Sequence, residues 1–319
     1  MQMKYINSIL ILFCSVFMFG ATLLTEHFDD ANYAARNWYD NTSHGTNVSG
    51  GQINNCLQWA WTSSGTTPTN GGAMRHAITA TDNLYISMYV KFQTGWRGSQ
   101  QTYHPHMLTF PSDLDDEYCS LANNYLDTYL EFISDVGSPY TIRPAWALQD
   151  AMRVNTGYGT PPVDITATTE NRSVNYCNGY LAGQSQGTVQ TCYDATGNGD
   201  YYSATGWKDT SHSLSTNEWH KVEYYYKMNS ISGGHAVADG VMKGWIDGTQ
   251  VFNYSNIVYR TNQDATKKWA QVVLSPWIGD GSPITQTMWI DELIIGTDEP
   301  YQTSTGNIFN MIIGGGVVK

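Results

Sequence analysis

Two imidazoles separated by one residue stand out in Tyr103-His104-Pro105-His106. An extended chain held by Pro105 turns both rings to the same side. That geometry suits a metal pair or a general base with a helper; no third ligand follows at readable spacing, so the base is the stronger of the two readings. Histidines so placed also serve as plain packing groups. Arg75-His76 and the stretch Arg143 through Gln149 add cations, an imidazole and an amide that could bind a carboxylate. Tyr85, Tyr89 and Lys91 share one side of an alternating segment, and Glu223, Tyr225 and Lys227 share one side of another. A phenol beside a cation can move a proton in either direction, and the same rings are flat platforms for a ligand.

These groups need elements to hold them. Leu84 to Phe92 alternates, with Leu84, Ile86, Met88, Val90 and Phe92 on the apolar side. Trp219 to Met228, Gly240 to Asp247 and Met288 to Ile295 alternate too, and only Leu121 to Phe132 keeps a 3.6-residue period. Strands that are apolar on one face and aromatic or polar on the other predict an all-β chain of two antiparallel sheets packed face to face, with an outer face open to a ligand. Residues 150–217, rich in Thr, Gly, Asn and Tyr, read as a long loop-rich insertion on one rim of a domain spanning 22–302.

The 319 residues are 41% hydrophobic and 13% aromatic, which excludes a disordered chain. A formal net charge of -12 without any Lys/Arg run argues against nucleic acid as a partner. Residues 1–21, with Lys4 ahead of an apolar run, read as a signal peptide, which implies a secreted or cell-surface protein with no membrane span after its removal. The remaining Cys56, Cys119, Cys177 and Cys192 then predict two disulfides, with Cys177 to Cys192 the favoured pair. The segment 303–319 is apolar and of open role, and oligomeric state is not legible.

The run EWHKVEYYYKMNS, the hairpin DGVMKGWIDGTQVFNYSNIVYR with Trp245, Asp247 and Gly248, and the closing MWIDELIIG resemble the concanavalin A-like jelly-roll proteins. They are most similar to the polysaccharide-lyase-like branch that acts on uronate polymers such as alginate and glucuronan. Glu26-His27-Phe28-Asp29 and the strand Leu84 to Phe92 share the likeness, which covers about half the chain. The resemblance implies a jelly-roll sandwich, a polysaccharide partner and β-elimination as the candidate reaction. Elimination needs a neutraliser for the carboxylate, a base for the C5 proton and an acid for the leaving oxygen. The residues offered are His104 or His106 as base, Arg75 or Gln149 at the carboxylate and Tyr225 as proton donor, with Tyr85, Tyr89, Lys91, Tyr103, Arg143 and Lys227 binding substrate. A surface this acidic would repel a polyuronate, so Arg75, Lys91, Arg97, Arg143 and Lys227 are expected to gather into a basic groove. Many jelly rolls hold a structural Ca²⁺ where first and last strands meet, and Glu26, Asp29 and Asp291 are the matching hard ligands; catalysis itself requires no cofactor.

Two other readings stay open: a glycan-binding protein without catalysis, and a structural surface or filament subunit. Gly183-Gln184-Ser185-Gln186-Gly187 matches a nucleophile elbow literally but lacks the strand and helix that would make it one. Asp194 to Asp200 has half the oxygen spacing of a calcium loop without the closing Glu.

Overall fold

The computed structural model describes residues 20–119, 121, 127–150, 173, 176–177, 207–208 and 212–299. The signal segment, most of the insertion with its two loop motifs and Cys192, and the apolar C-terminal segment lie outside the described residues.

In chain order the strands are β1 (Thr22–Glu26), β2 (Tyr39–Asp40), β3 (Thr46–Ser49), β4 (Asn55–Trp61), β5 (Met74–Thr81) and β6 (Asn83–Phe92). They continue with β7 (His106–Thr109), β8 (Asp127–Ser134), β9 (Ile142–Asp150), β10 (Tyr176–Cys177), β11 (Trp207–Lys208) and β12 (His220–Lys227). The last six are β13 (Ile231–Ser232), β14 (His235–Ala236), β15 (Gly240–Ile246), β16 (Thr249–Ile257), β17 (Trp269–Trp277) and β18 (Gln286–Gly296). Sheet I runs β16-β15-β12-β6-β18-β4-β3, with β1 also on β18. Sheet II runs β10-β9-β8-β7-β17-β5-β2, with β11 also on β9. This is the expected jelly-roll sandwich of two sheets, antiparallel apart from the short β10–β9 pair.

The core follows from the alternation. Leu84, Ile86, Met88, Val90 and Phe92 of β6 and Val222, Tyr224 and Tyr226 of β12 are buried toward sheet II, so Tyr85, Tyr89, Lys91, Glu223, Tyr225 and Lys227 take the outer face of sheet I. Trp146 of β9 bridges the layers, its ring stacked 3.7 Å from that of Tyr226. The Asp247-Gly248 turn joins β15 to β16 with φ of 48° and 79°, the positive pair of a type I′ hairpin.

Two expectations need correction. The 3.6-residue period over 121–132 gives way to strand β8, because Leu130 and Phe132 also alternate inward and pairing with β7 and β9 satisfies the backbone on both sides. The expected second disulfide is not made: Cys56 and Cys119 are buried thiols, with Cys56 Sγ 3.7 Å from Val48 O and Cys119 Sγ 3.8 Å from Arg75 Nη1, while Cys192 of the favoured Cys177 to Cys192 pair lies outside the described residues.

Candidate functional site

The predicted groups separate onto the two outer faces of the sandwich. On sheet II, His106 opens β7 between its cross-strand neighbours Glu131 and Trp277. His104 lies just before it, and the two rings are 4.6 Å apart, so the expected convergence holds. Its route differs from the extended chain expected, because His104 adopts a left-handed φ of 59°. Gly279 N–H donates to His104 Nδ1 at 3.0 Å, which leaves the proton of the neutral ring on Nε2. Glu131 Oε1 lies 2.7 Å from His106 Nδ1, and the Tyr129 ring sits 4.1 Å from that of His106. Tyr103 packs on His104 at 4.8 Å, and its phenol is raised above its ordinary value by a bond to Asp280.

Burial lowers the His104 imidazole from 6.5 to about 4, with the neighbouring His106 acting in the same direction. His44, which accepts the Trp59 indole N–H at 2.9 Å, is lowered to about 4 by the same cause. Both rings bind a proton more readily when unfolded, so their contribution to stability is complete above about 6.5 and is lost as pH falls toward about 4. Urea midpoints across that window are expected to drop with acidification, and His104→Gln to flatten the drop relative to the parent chain.

Arg75 and Arg143 of sheet II are committed elsewhere. Arg75 is buried, donating to Asp40 Oδ2, Gln271 Oε1 and Cys119 O at 2.9 Å each, which removes it from the expected role at a substrate carboxylate. Arg143 donates to His212 O at 3.0 Å and lies 3.6 Å from Asp135. Gln149 is in β9, paired with Asp127 and Tyr176. Arg97 stacks over Tyr140 at 5.1 Å. The single basic groove expected from Arg75, Lys91, Arg97, Arg143 and Lys227 is therefore not built, because these residues belong to different sheets and loops.

Tyr225 does not join the histidines either, since β12 belongs to sheet I. What forms instead is a transverse row on the outer face of sheet I: Gly296, Tyr85, Tyr225, Lys243 and Asn253 are successive cross-strand partners on β18, β6, β12, β15 and β16. Strand spacing places Tyr85 and Asn253 about 14 Å apart across three gaps. Tyr85 OH donates to Glu223 Oε1 at 2.6 Å, and Lys221 Nζ donates to the same oxygen at 2.9 Å. Burial pushes both phenols up, Tyr85 with help from the Glu223 bond and Tyr225 with help from Glu299, so both are held protonated. Lys243 Nζ donates to Glu299 at 2.8 and 2.9 Å, while Asn253 is exposed.

The same face continues past the row. Tyr89 pairs with Lys221, and Lys91 Nζ lies 4.6 Å from the Trp219 ring and 5.0 Å from the Trp289 ring, a cation between two aromatic faces. Lys91, Lys221, Lys227 and Lys243 thus gather on one face of a chain whose net charge is -12. Sequence reading missed Lys221, Lys243 and Asn253. Alternation in HKVEYYYK could have supplied Lys221, whereas the other two depend on the register of the β12–β15–β16 meander.

The three expected calcium ligands do not fit a metal site. Glu26 is 1% exposed and its oxygens accept from Phe28 N–H, Arg36 Nε and Trp38 Nε1 at 2.8 to 2.9 Å. Asp29 faces the Asn55 N–H at 3.3 Å, and Asp291 accepts from Ile53 and Glu292 N–H. Among the described residues no three His, Cys, Asp or Glu side chains are arranged to hold a metal ion.

Ser215 Oγ lies 2.9 Å from His220 Nε2, and His220 Nδ1 lies 2.8 Å from Asp247 Oδ2, the spacing of a hydrolytic triad. The Ser215 backbone N–H points at the same Nε2 at 3.1 Å, and its hydroxyl lies 2.5 Å from Glu218, so the group clasps the loop to the β15–β16 hairpin. His220→Ala should cost about 1–2 kcal/mol of stability by urea titration, the loss of a shared acceptor and donor.

No known protein family matches the sequence, and no curated protein does. Among solved structures, the alginate lyase Aly36B superposes with a TM-score of 0.51 at 12% identity, over 86% of this chain and 96% of that one. An Aly36B variant with one lysine and one tyrosine changed to alanine, in complex with an alginate tetrasaccharide, gives 0.50 at 13% identity over 86% and 93%. The marine alginate lyase from Aplysia kurodai gives 0.50 at 10% identity, over 87% of this chain and all 100% of that one. The two-sheet architecture and these superpositions together give the chain a polysaccharide-lyase-like jelly-roll fold.

Proposed function

We propose that the chain is a polysaccharide-active protein that cleaves a uronate-containing glycan by β-elimination at the Tyr85–Tyr225–Lys243–Asn253 row. The observation that carries this reading is the row itself, which sets two protonated phenols, an ammonium and an amide side by side on one open sheet face. Lys243 exchanges Glu299 for the uronate carboxylate and favours the charge that develops on it as C5 loses its proton, while Asn253, farther along the row, bonds a neighbouring sugar unit. Tyr85 takes that proton while passing its own to Glu223 Oε1, 2.6 Å away. This relay never leaves a bare phenolate, which a buried Tyr85 would resist. The C5–H electron pair forms the C4–C5 double bond, the C4–O bond breaks, Tyr225 protonates the departing glycosidic oxygen, and the proton held by Glu223 returns through Tyr85 to its cross-strand neighbour Tyr225. Lys91 between Trp219 and Trp289 extends the face for neighbouring sugar units.

The likeness to alginate lyases supports this reading at the level of fold. Purified protein incubated with polymannuronate, polyguluronate and glucuronan is expected to generate the ultraviolet absorbance of unsaturated uronate ends. Retention on one of these polymers with no absorbance would replace the reading with glycan binding alone.

A further inference from the structure

On the sheet II face, away from the row, a cleft of about 220 Å³ is lined by Thr67, Thr109, Tyr129, His106, Ser275 and Trp277, among others. Trp277 is 44% exposed, whereas seven other tryptophans are buried. An indole at the rim of a cleft is a flat apolar platform on which a ring can stack. Its surroundings are built with care. The His104 and His106 rings lie 5.9 and 6.1 Å from the Trp277 ring. A Cβ on residue 279 would stand 2.6 Å from His104 Cε1, so only glycine admits that imidazole. His104 keeps a left-handed backbone, a conformation that persists where the surroundings over-determine it and that gathers at ligand clamps.

The charge of the cleft selects its ligand. Among the described residues no Lys or Arg lines it, Arg75 on the same sheet is consumed by Asp40 and Gln271, and the Glu131 carboxylate sits beneath His106. A uronate would meet like charge here. The volume is below that of a drug-sized pocket and matches a single sugar ring. We propose that this cleft is a second saccharide site that takes one uncharged hexopyranose ring stacked on Trp277, with Ser275 and His106 bonding its hydroxyls. The site lies on the opposite sheet from the row and stands whether or not that row is catalytic.

Titration of the full chain with β-1,4-linked glucotetraose and mannotetraose, followed by tryptophan emission and by amide and indole NMR shifts, tests it. Saturable binding of at least one neutral tetrasaccharide, with shifts at the Trp277 indole and Ser275, is expected. Trp277→Ala should weaken that binding by about tenfold or more, and Trp277→Phe by less because a ring remains. The proposal is overturned if neither sugar binds at millimolar concentration, if the shifts map to sheet I, if a folded Trp277→Ala binds as well as the parent, or if tetramannuronate occupies the cleft more tightly than the neutral sugars.

Discussion

Tyr225→Phe is expected to lower turnover on a uronate polymer by about 10²–10⁴-fold while leaving KM close to its starting value. The substitution removes one oxygen atom and keeps the ring that β6 and β15 pack against, so the sheet stays intact. Without the phenol the leaving oxygen must depart as an alkoxide or take its proton from water, and that cost falls on the transition state alone. Lys243→Ala should instead raise KM as well, because the ammonium holds the carboxylate before and during the reaction. Initial rates of unsaturated product formation separate the two patterns. A Tyr225→Phe chain within a few-fold of the parent would remove Tyr225 from the chemistry.

Trp146→Ala is expected to cost about 3–5 kcal/mol of stability. Its indole stacks on Tyr226 at 3.7 Å and 15°, lies 6.0 Å from Tyr224 and 6.3 Å from Phe110, and so joins the inner faces of both sheets. Removing it opens a cavity walled by large rings that cannot collapse into the gap. The Trp146 indole N–H is buried with no acceptor among the described residues, which already weighs against the native state. Trp146→Phe deletes that donor and keeps most of the contact, so it should cost far less than Trp146→Ala. Equilibrium urea unfolding of the two variants beside the parent measures the difference, and equal losses would mean that the ring contacts do not join the sheets as described.

Much of the fold was legible because alternation is visible wherever one face of a strand is polar. The segments of β6, β12, β15 and β18 were all readable on that ground. β17 was not, because Val272, Val273 and Leu274 are buried in succession, which hides the alternation. β8 was hidden by an apolar spacing that fits a helix and a strand equally well. The site was legible in its parts and not in its grouping. His104 and His106 were expected to meet and do, but alternation sorts residues into inside and outside without saying which sheet's outside. Tyr225 and His106 both face outward on strands of different sheets, which places the whole sandwich between them. Lys243 and Asn253 reach Tyr225 only through the register of three strands, a property of hydrogen-bond pairing that no single segment encodes.

The most direct measurement is a crystal structure of the Tyr225→Phe chain soaked with a uronate tetrasaccharide. A sugar carboxylate at Lys243, with the C5 face over Tyr85, is the expected result. The tetrasaccharide seated against Trp277 on sheet II, with the Tyr85–Asn253 row bare, would contradict the assignment.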